Sequence, residues 1–144
     1  MQYLNFRDYL LKILNDIDCV IAYETASEYL GLFDGYLYDN RISIFVENIL
    51  DLSNLETENE IKISQFIIND YKNLDFIILD KLKVTSENQT LINLIEQDGD
   101  VQVIQQSLAN YYYKHGDFKN LKIPNSLKDL FNEYCEWALD YYKE

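Results

Sequence analysis

Histidine and proline each occur once in the 144-residue chain, cysteine twice and glycine four times, and each scarcity excludes a class of function. A lone histidine, His115, cannot build a multi-histidine metal centre. It is also the only imidazole base for the thiols of Cys19 and Cys135, and no spacing brings nucleophile, base and orienting group together. Beside Lys114 and Gly116 it reads as a cation closing a helix. Gly31, Gly35, Gly99 and Gly116 stand apart, so neither a phosphate-cradling loop nor a dinucleotide fingerprint can be written, and no cofactor is expected. The two cysteines show no C-x-x-C spacing and are expected reduced and buried. No signal peptide is read at the front, where Asn5, Arg7 and Asp8 interrupt any apolar run. Nowhere does an apolar run approach the ~18 residues of a membrane span, so no membrane partner is expected and the cytoplasm is the expected compartment.

Positive charge is scarce too. Twelve Lys and Arg face 25 Asp and Glu, a formal net charge of −13 that repels phosphate backbones and attracts basic surfaces. Direct nucleic-acid binding is therefore not expected, and a basic protein partner is; the plainer explanation of the charge is solubility alone. The hydrophobic fraction of 48% and aromatic fraction of 15% are too high for a disordered chain. Without linker, repeat or low-complexity segment, residues 1–144 are expected to form a single domain.

Asn5 is placed to cap a helix in which Phe6, Tyr9, Leu10, Ile13, Leu14 and Ile17 recur at helical spacing. Val20 to Leu30, with Ala22, Ala26 and Tyr29, fits a small helix stopped by Gly31, and Gly35 marks a turn. The period then changes. Ile42, Ile44 and Val46 alternate with Arg41, Ser43 and Phe45, and Ile61, Ile63, Gln65 and Ile67 alternate with Lys62, Ser64, Phe66 and Ile68, predicting two strands. Glu47, Asp51, Glu56, Glu58 and Glu60 make an acidic connection between them, and Phe76 to Leu79 with Leu82 to Val84 add one or two short strands. Ser86 with Gln89 forms a capping box before Leu91, Leu94 and Ile95, in a helix ended by Gly99. A second helix runs from Val101 to His115 with Gly116 as its stop, and Asn125 and Ser126 after Pro124 are placed to cap a last helix over 125–142.

Two constellations carry candidate chemistry. Glu60-Ile61-Lys62 at the start of an expected strand, with Asp51 upstream, has the ligand types of a metal-dependent nuclease; in an acidic chain the same pattern arises as a solvated strand. The final third is crowded with aromatics: Tyr111, Tyr112, Tyr113, Tyr134, Trp137, Tyr141 and Tyr142. Successive helical residues point about 100° apart, so at least one of the three adjacent tyrosines must reach the rim. Asp129, Glu133, Glu136 and Asp140 fall at i, i+4, i+7 and i+11, an acidic stripe beside the apolar face of the last helix. With Trp137 and Tyr141 they form the candidate partner-binding set, combining steering charge with aromatic anchors.

Two segments resemble the C-terminal domain of AbiEi-type abortive-infection antitoxins, which partner nucleotidyltransferase toxins. Val20-Ile21-Ala22-Tyr23-Glu24-Thr25-Ala26-Ser27-Glu28-Tyr29-Leu30-Gly31-Leu32 is similar to the family's small helix ending in Leu-Gly before a strand. Val84-Thr85-Ser86-Glu87-Asn88-Gln89-Thr90-Leu91-Ile92-Asn93-Leu94-Ile95, continued by Val101 to Tyr113 and Gly116 to Leu121, is similar to a Val-Thr-Thr-Pro-Glu-Arg-Thr-Leu-x-Asp segment and the helix after it. Glu87, Gln89 and Asn93 stand where the family has Pro, Arg and Asp. The likeness covers about residues 19–122. The family's N-terminal winged helix-turn-helix has no counterpart in the single helix ahead of it, so the resemblance implies a partner-directed role without DNA reading. No Gly-Ser pair occurs, which excludes the toxin itself.

The expected fold is therefore α/β of the α+β type, a small sheet flanked by four or five helices. The expected function is that of an antitoxin-like or immunity-type protein that binds and neutralises a protein partner, a basic toxin or a nucleic-acid-handling enzyme, without catalysis. The alternatives are an acidic mobile-element inhibitor that mimics nucleic acid and, behind it, the nuclease.

Overall fold

The computed structural model describes residues 6–35, 37–97 and 99–142, and the side chains of Tyr38, Tyr141 and Tyr142 lie outside that description. Five strands form one mixed sheet: β1 (Val20–Ile21), β2 (Arg41–Val46), β3 (Lys62–Ile67), β4 (Phe76–Leu79) and β5 (Leu82–Thr85). Their order is β3-β2-β1-β5-β4, with β2–β3 and β1–β5 parallel and β1–β2 and β4–β5 antiparallel. The two-residue β1 sits in the middle. Ile21 lies opposite Ile44 on one side and Val84 on the other, and both residues of β1 are buried. Among the described residues there are six α-helices: α1 (Phe6–Leu14), α2 (Tyr23–Tyr29), α3 (Ser53–Asn59), α4 (Glu87–Gln97), α5 (Val101–His115) and α6 (Lys128–Tyr142). The architecture is α+β, and no described helix is long and apolar enough to cross a membrane.

One apolar cluster joins the helices to the sheet: Leu10 and Leu14 of α1, Ile42, Ile44 and Val46 of β2, Leu91 and Ile95 of α4, and Ile104 and Leu108 of α5. The other sheet face carries a smaller cluster of Val20, Ala22, Phe45 and Leu74, packed against by Tyr23, Phe66, Tyr71 and Phe76. This second cluster explains a departure from the expected alternation. Ser43 and Phe45 are as buried as Ile42 and Ile44, because β2 has covered neighbours on both faces.

Other boundaries differ for local reasons. The expected helix from Val20 splits, since the β-branched Val20 and Ile21 pair with strands on both sides and the helix starts at Tyr23. Its end follows the glycine signal: Gly31 adopts φ +79, and N–H groups of Gly31 and Leu32 return to the carbonyls of Glu28 (3.1 Å) and Ser27 (2.8 Å). α1 stops at Leu14, leaving Ile17 in the following turn, and its expected cap Asn5 lies outside the described residues. The acidic connection contains a helix, α3, that its few apolar residues did not announce. Asp51 Oδ1 accepts from Ser53 N–H (3.2 Å) and Oγ (2.7 Å) at its start, and Leu52 and Leu55 pack on the core.

At α4 only half of the capping box forms. Ser86 Oγ accepts from Gln89 N–H (3.1 Å), while Ser86 N–H is taken by Asp75 O (3.1 Å). α4 ends at Gln97, two residues short of Gly99. Asp100 caps α5 by accepting from Gln102 N–H (2.8 Å), and Gly116 closes it at φ +85. Asn125 and Ser126 enter a 3-10 turn, and the last α-helix begins only at Lys128.

Candidate functional site

α6 packs on α5 through Phe131, Tyr134, Cys135 and Ala138, all buried. At 100° per residue these four occupy a sector of about 100°. Asp129, Glu133, Glu136 and Asp140 occupy about 60° on the opposite side of the helix, and all four are exposed. The stripe thus faces outward rather than bordering the apolar face. It runs roughly 16 Å along the helix axis, and the only basic side chain within α6 is Lys128 at its first position.

Trp137 lies between the two faces and is 43% exposed. Its ring meets the buried Tyr134 edge to face, 5.5 Å between centroids at 88°. The indole is therefore held on one side while presenting the other to solvent. Tyr141 belongs to the last turn of α6, and its side chain lies outside the described residues. One helix over, Tyr111 is buried, Tyr112 half-buried and Tyr113 64% exposed, the staggering that 100° steps require. Burial raises the Tyr111 hydroxyl pKa, helped by the charges of Glu87 and Asp117.

His115 is the last residue of α5, its ring against Tyr111 (4.3 Å) and its Nε2 3.0 Å from Glu87 Oε1. Lys114 Nζ donates to the other oxygen of Glu87 at 2.7 Å. Glu87 opens α4, so one carboxylate serves a helix start and also meets Lys114 and His115 at a helix end. The helix-end position of His115 was readable in the sequence, but its partner 28 residues away carried no local signal.

The nuclease set is not assembled. Asp51 lies two residues ahead of α3, where hydrogen bonds from Ser53 lower its carboxyl pKa, and Glu60 follows the far end of that helix in a left-handed turn at φ 53. Lys62 is the first residue of β3, so the strand begins after Glu60 and not at it. A groove of about 570 Å³ gathers Glu60 and Lys62 with Asp39, Asn40 and Glu56, without Asp51. Among the described residues no group of three or more His, Cys, Asp or Glu could hold a metal ion. Cys19 and Cys135 are buried free thiols whose pKa values burial pushes up to about 12, leaving both protonated at neutral pH.

One polar cluster went unseen in the sequence. Glu24, 6% exposed in the first turn of α2, accepts from Ser43 Oγ at 2.5 Å and lies 3.4 Å from Arg41 Nε. Arg41 Nε is buried without a hydrogen-bond partner, so its contact with Glu24 is one of charge and not of aligned donor and acceptor. The cluster ties α2 to β2 beside a cavity of about 270 Å³ lined also by Gln97, Asp100 and Val103. A Glu among 25 acidic residues gives no hint of burial.

The segments 20–32 and 84–95 lie side by side, with β1 paired to β5 and α2 packed on α4. No protein-family model, curated protein or solved structure matches the chain.

Proposed function

We propose that this protein is a non-catalytic binder of antitoxin or immunity type, which neutralises a basic protein partner through the outer face of α6. The observation that carries the reading is the combination on one helix of four outward carboxylates and an exposed, packed Trp137. Carboxylates at a rim speed encounter with a basic surface, and a pre-ordered aromatic loses little entropy on docking. The buried thiols and the separation of Asp51 from Glu60 and Lys62 support the absence of catalysis.

The experiment is affinity capture from cells with the wild-type protein, Glu133→Lys/Glu136→Lys and Trp137→Ala, followed by association kinetics on the protein retained. Charge reversal slows association by about an order of magnitude at low salt and flattens its salt dependence, while Trp137→Ala speeds dissociation. Equal capture and unchanged kinetics in both variants would place the partner elsewhere. The row of carboxylates along α6 also supports a nucleic-acid mimic, in which case the captured protein is one that DNA or RNA displaces.

A further inference from the structure

The two edges of the sheet are treated differently. Along β3, Glu56 Oε2 accepts the Ile63 N–H (2.8 Å), and the Gln65 side chain brackets the Leu50 backbone with two bonds of 2.8 Å. One backbone donor of β3 is thus taken by a side chain, and a loop is tied to the strand through Gln65. The other edge, β4, reads Phe76-Ile77-Ile78-Leu79: no charge, no proline, no bulge, with Ile77 41% and Ile78 67% exposed. Charge, proline and bulges are devices by which folded proteins blunt an edge strand, and the four-residue β4 has none of these three.

The pairing phase shows which backbone groups are free. β4 and β5 are joined by the two-residue turn Asp80–Lys81, both at positive φ, so the flanking Leu79 and Leu82 form a hydrogen-bonded pair. Alternation makes Ile77 with Val84 the next such pair, and the bond from Ser86 N–H to Asp75 O (3.1 Å) keeps the same phase. The N–H and C=O groups of Phe76 and Ile78 therefore point away from the sheet. The Tyr29 hydroxyl donates to Leu79 O (2.7 Å), a carbonyl on the β5 side of the strand, and so leaves the outward groups of Phe76 and Ile78 untouched.

We infer that β4 pairs antiparallel with β4 of a second copy, joining two five-stranded sheets into one. Only the register that sets Phe76 opposite Ile78 of the other copy engages both outward residues of each strand, giving four backbone hydrogen bonds. It places Ile77 against its own copy on the two-fold axis. On the face of the smaller cluster, Ile78 of each copy then covers Phe76 of the other, extending that cluster across the junction. Charge agrees with a second copy despite the net −13. In this register Asp75 opposes Leu79 and lies diagonal to Lys81, so no carboxylate of the strand meets another across it. The more distant acids of α6 are screened over a Debye length of about 8 Å. This inference is independent of the proposed role of α6.

Sedimentation equilibrium over about 10 µM to 1 mM at physiological salt reads the monomer–dimer balance directly. The wild type dimerises, and Ile78→Lys raises the dimer dissociation constant at least about tenfold without changing far-UV circular dichroism. Ile67→Lys, exposed on the opposite edge strand, leaves the balance unchanged. Ile77→Cys gives the register: a non-hydrogen-bonded antiparallel pair holds Cα atoms about 4.5 Å apart, within disulfide reach, so this variant forms a covalent dimer under mild oxidation. The native thiols, both buried, do not. A monomer throughout the concentration range would overturn the inference and leave β4 to an extended segment of another protein or of this chain. A dimer indifferent to Ile78→Lys would overturn it equally.

Discussion

Trp137 is the only indole in the chain, and its position against Tyr134 makes the two rings a test of which faces of α6 are inside and outside. Tyr134 is 3% exposed and Trp137 43%, so truncating them has unequal consequences. Tyr134→Ala removes a buried aromatic and costs about 3–5 kcal/mol; Trp137→Ala costs about 1 kcal/mol or less. Urea unfolding followed by circular dichroism gives both values, and a Trp137→Ala penalty matching that of Tyr134→Ala would mean the indole belongs to the core. The thiols make a second prediction. Burial raises both cysteines from an ordinary value of 9.0 to about 12. The unfolded chain therefore loses these protons at lower pH than the native one, so the stabilising effect is intact below pH 9 and falls as pH rises toward 12. Each thiol contributes a loss of about 1.4 kcal/mol per pH unit within that window. Cys135→Ala, compared with wild type by chemical unfolding at pH 8, 9.5 and 10.5, flattens the alkaline decline; identical slopes would refute the assignment. The cysteines' burial was legible from their isolation. Glu24 was not, because its partners Ser43 and Arg41 arrive from a strand that sequence spacing cannot place.

Helices announced by caps and periodicity formed where the signals were strongest, as α5 shows between Asp100 and Gly116. Gly31 and Gly116 both occupy left-handed backbone with open space around the missing Cβ, so replacement strains the backbone and clashes with nothing. Gly31→Ala and Gly116→Ala should each destabilise by about 1 kcal/mol, read as a lowered thermal midpoint, and an unchanged midpoint would mean that the caps are dispensable. Elements without such signals were misread. Val20–Ile21 carries too few residues to show a period of two, and its strand identity comes from distant partners, Phe45 opposite Val20 and Val84 opposite Ile21. α3 has its apolar residues only at Leu52 and Leu55, so the acidic side chains around them hid a helix. β2 looked half-exposed because alternation marks a one-faced strand, whereas the cluster around Phe45 covers the second face. At the candidate site the carboxylate spacing of α6 was readable; the direction it faces became clear only from the packing of Tyr134 and Ala138 on α5.

Across the whole molecule, 25 acidic groups against 12 basic ones create a self-repulsion that the fold withstands and that solvent ions relieve. The paired charges do little to offset it. Arg7–Asp80, Lys83–Asp18 and Lys119–Asp117 are solvent-exposed contacts, each contributing roughly 1 kcal/mol or less. The stripe on α6 concentrates four carboxylates, Asp129, Glu133, Glu136 and Asp140, on one face of a single helix, so part of the repulsion is located there. Raising salt from about 10 mM to 500 mM shortens the Debye length from about 30 Å to below 8 Å, and the thermal midpoint should rise. Glu133→Lys/Glu136→Lys removes four units of the net −13 at exposed positions, so at low salt it should stabilise as well. A gain near 1 kcal/mol corresponds to roughly 3–4 °C at this chain length. Calorimetry of both proteins at the two salt concentrations separates charge from packing: the variant melts higher than wild type at low salt, and the difference shrinks at high salt. If the double variant instead melts lower at both concentrations, Glu133 and Glu136 stabilise the helix itself. The carboxylates of α6 would then be structural, and a partner for that face would have lost its electrostatic argument.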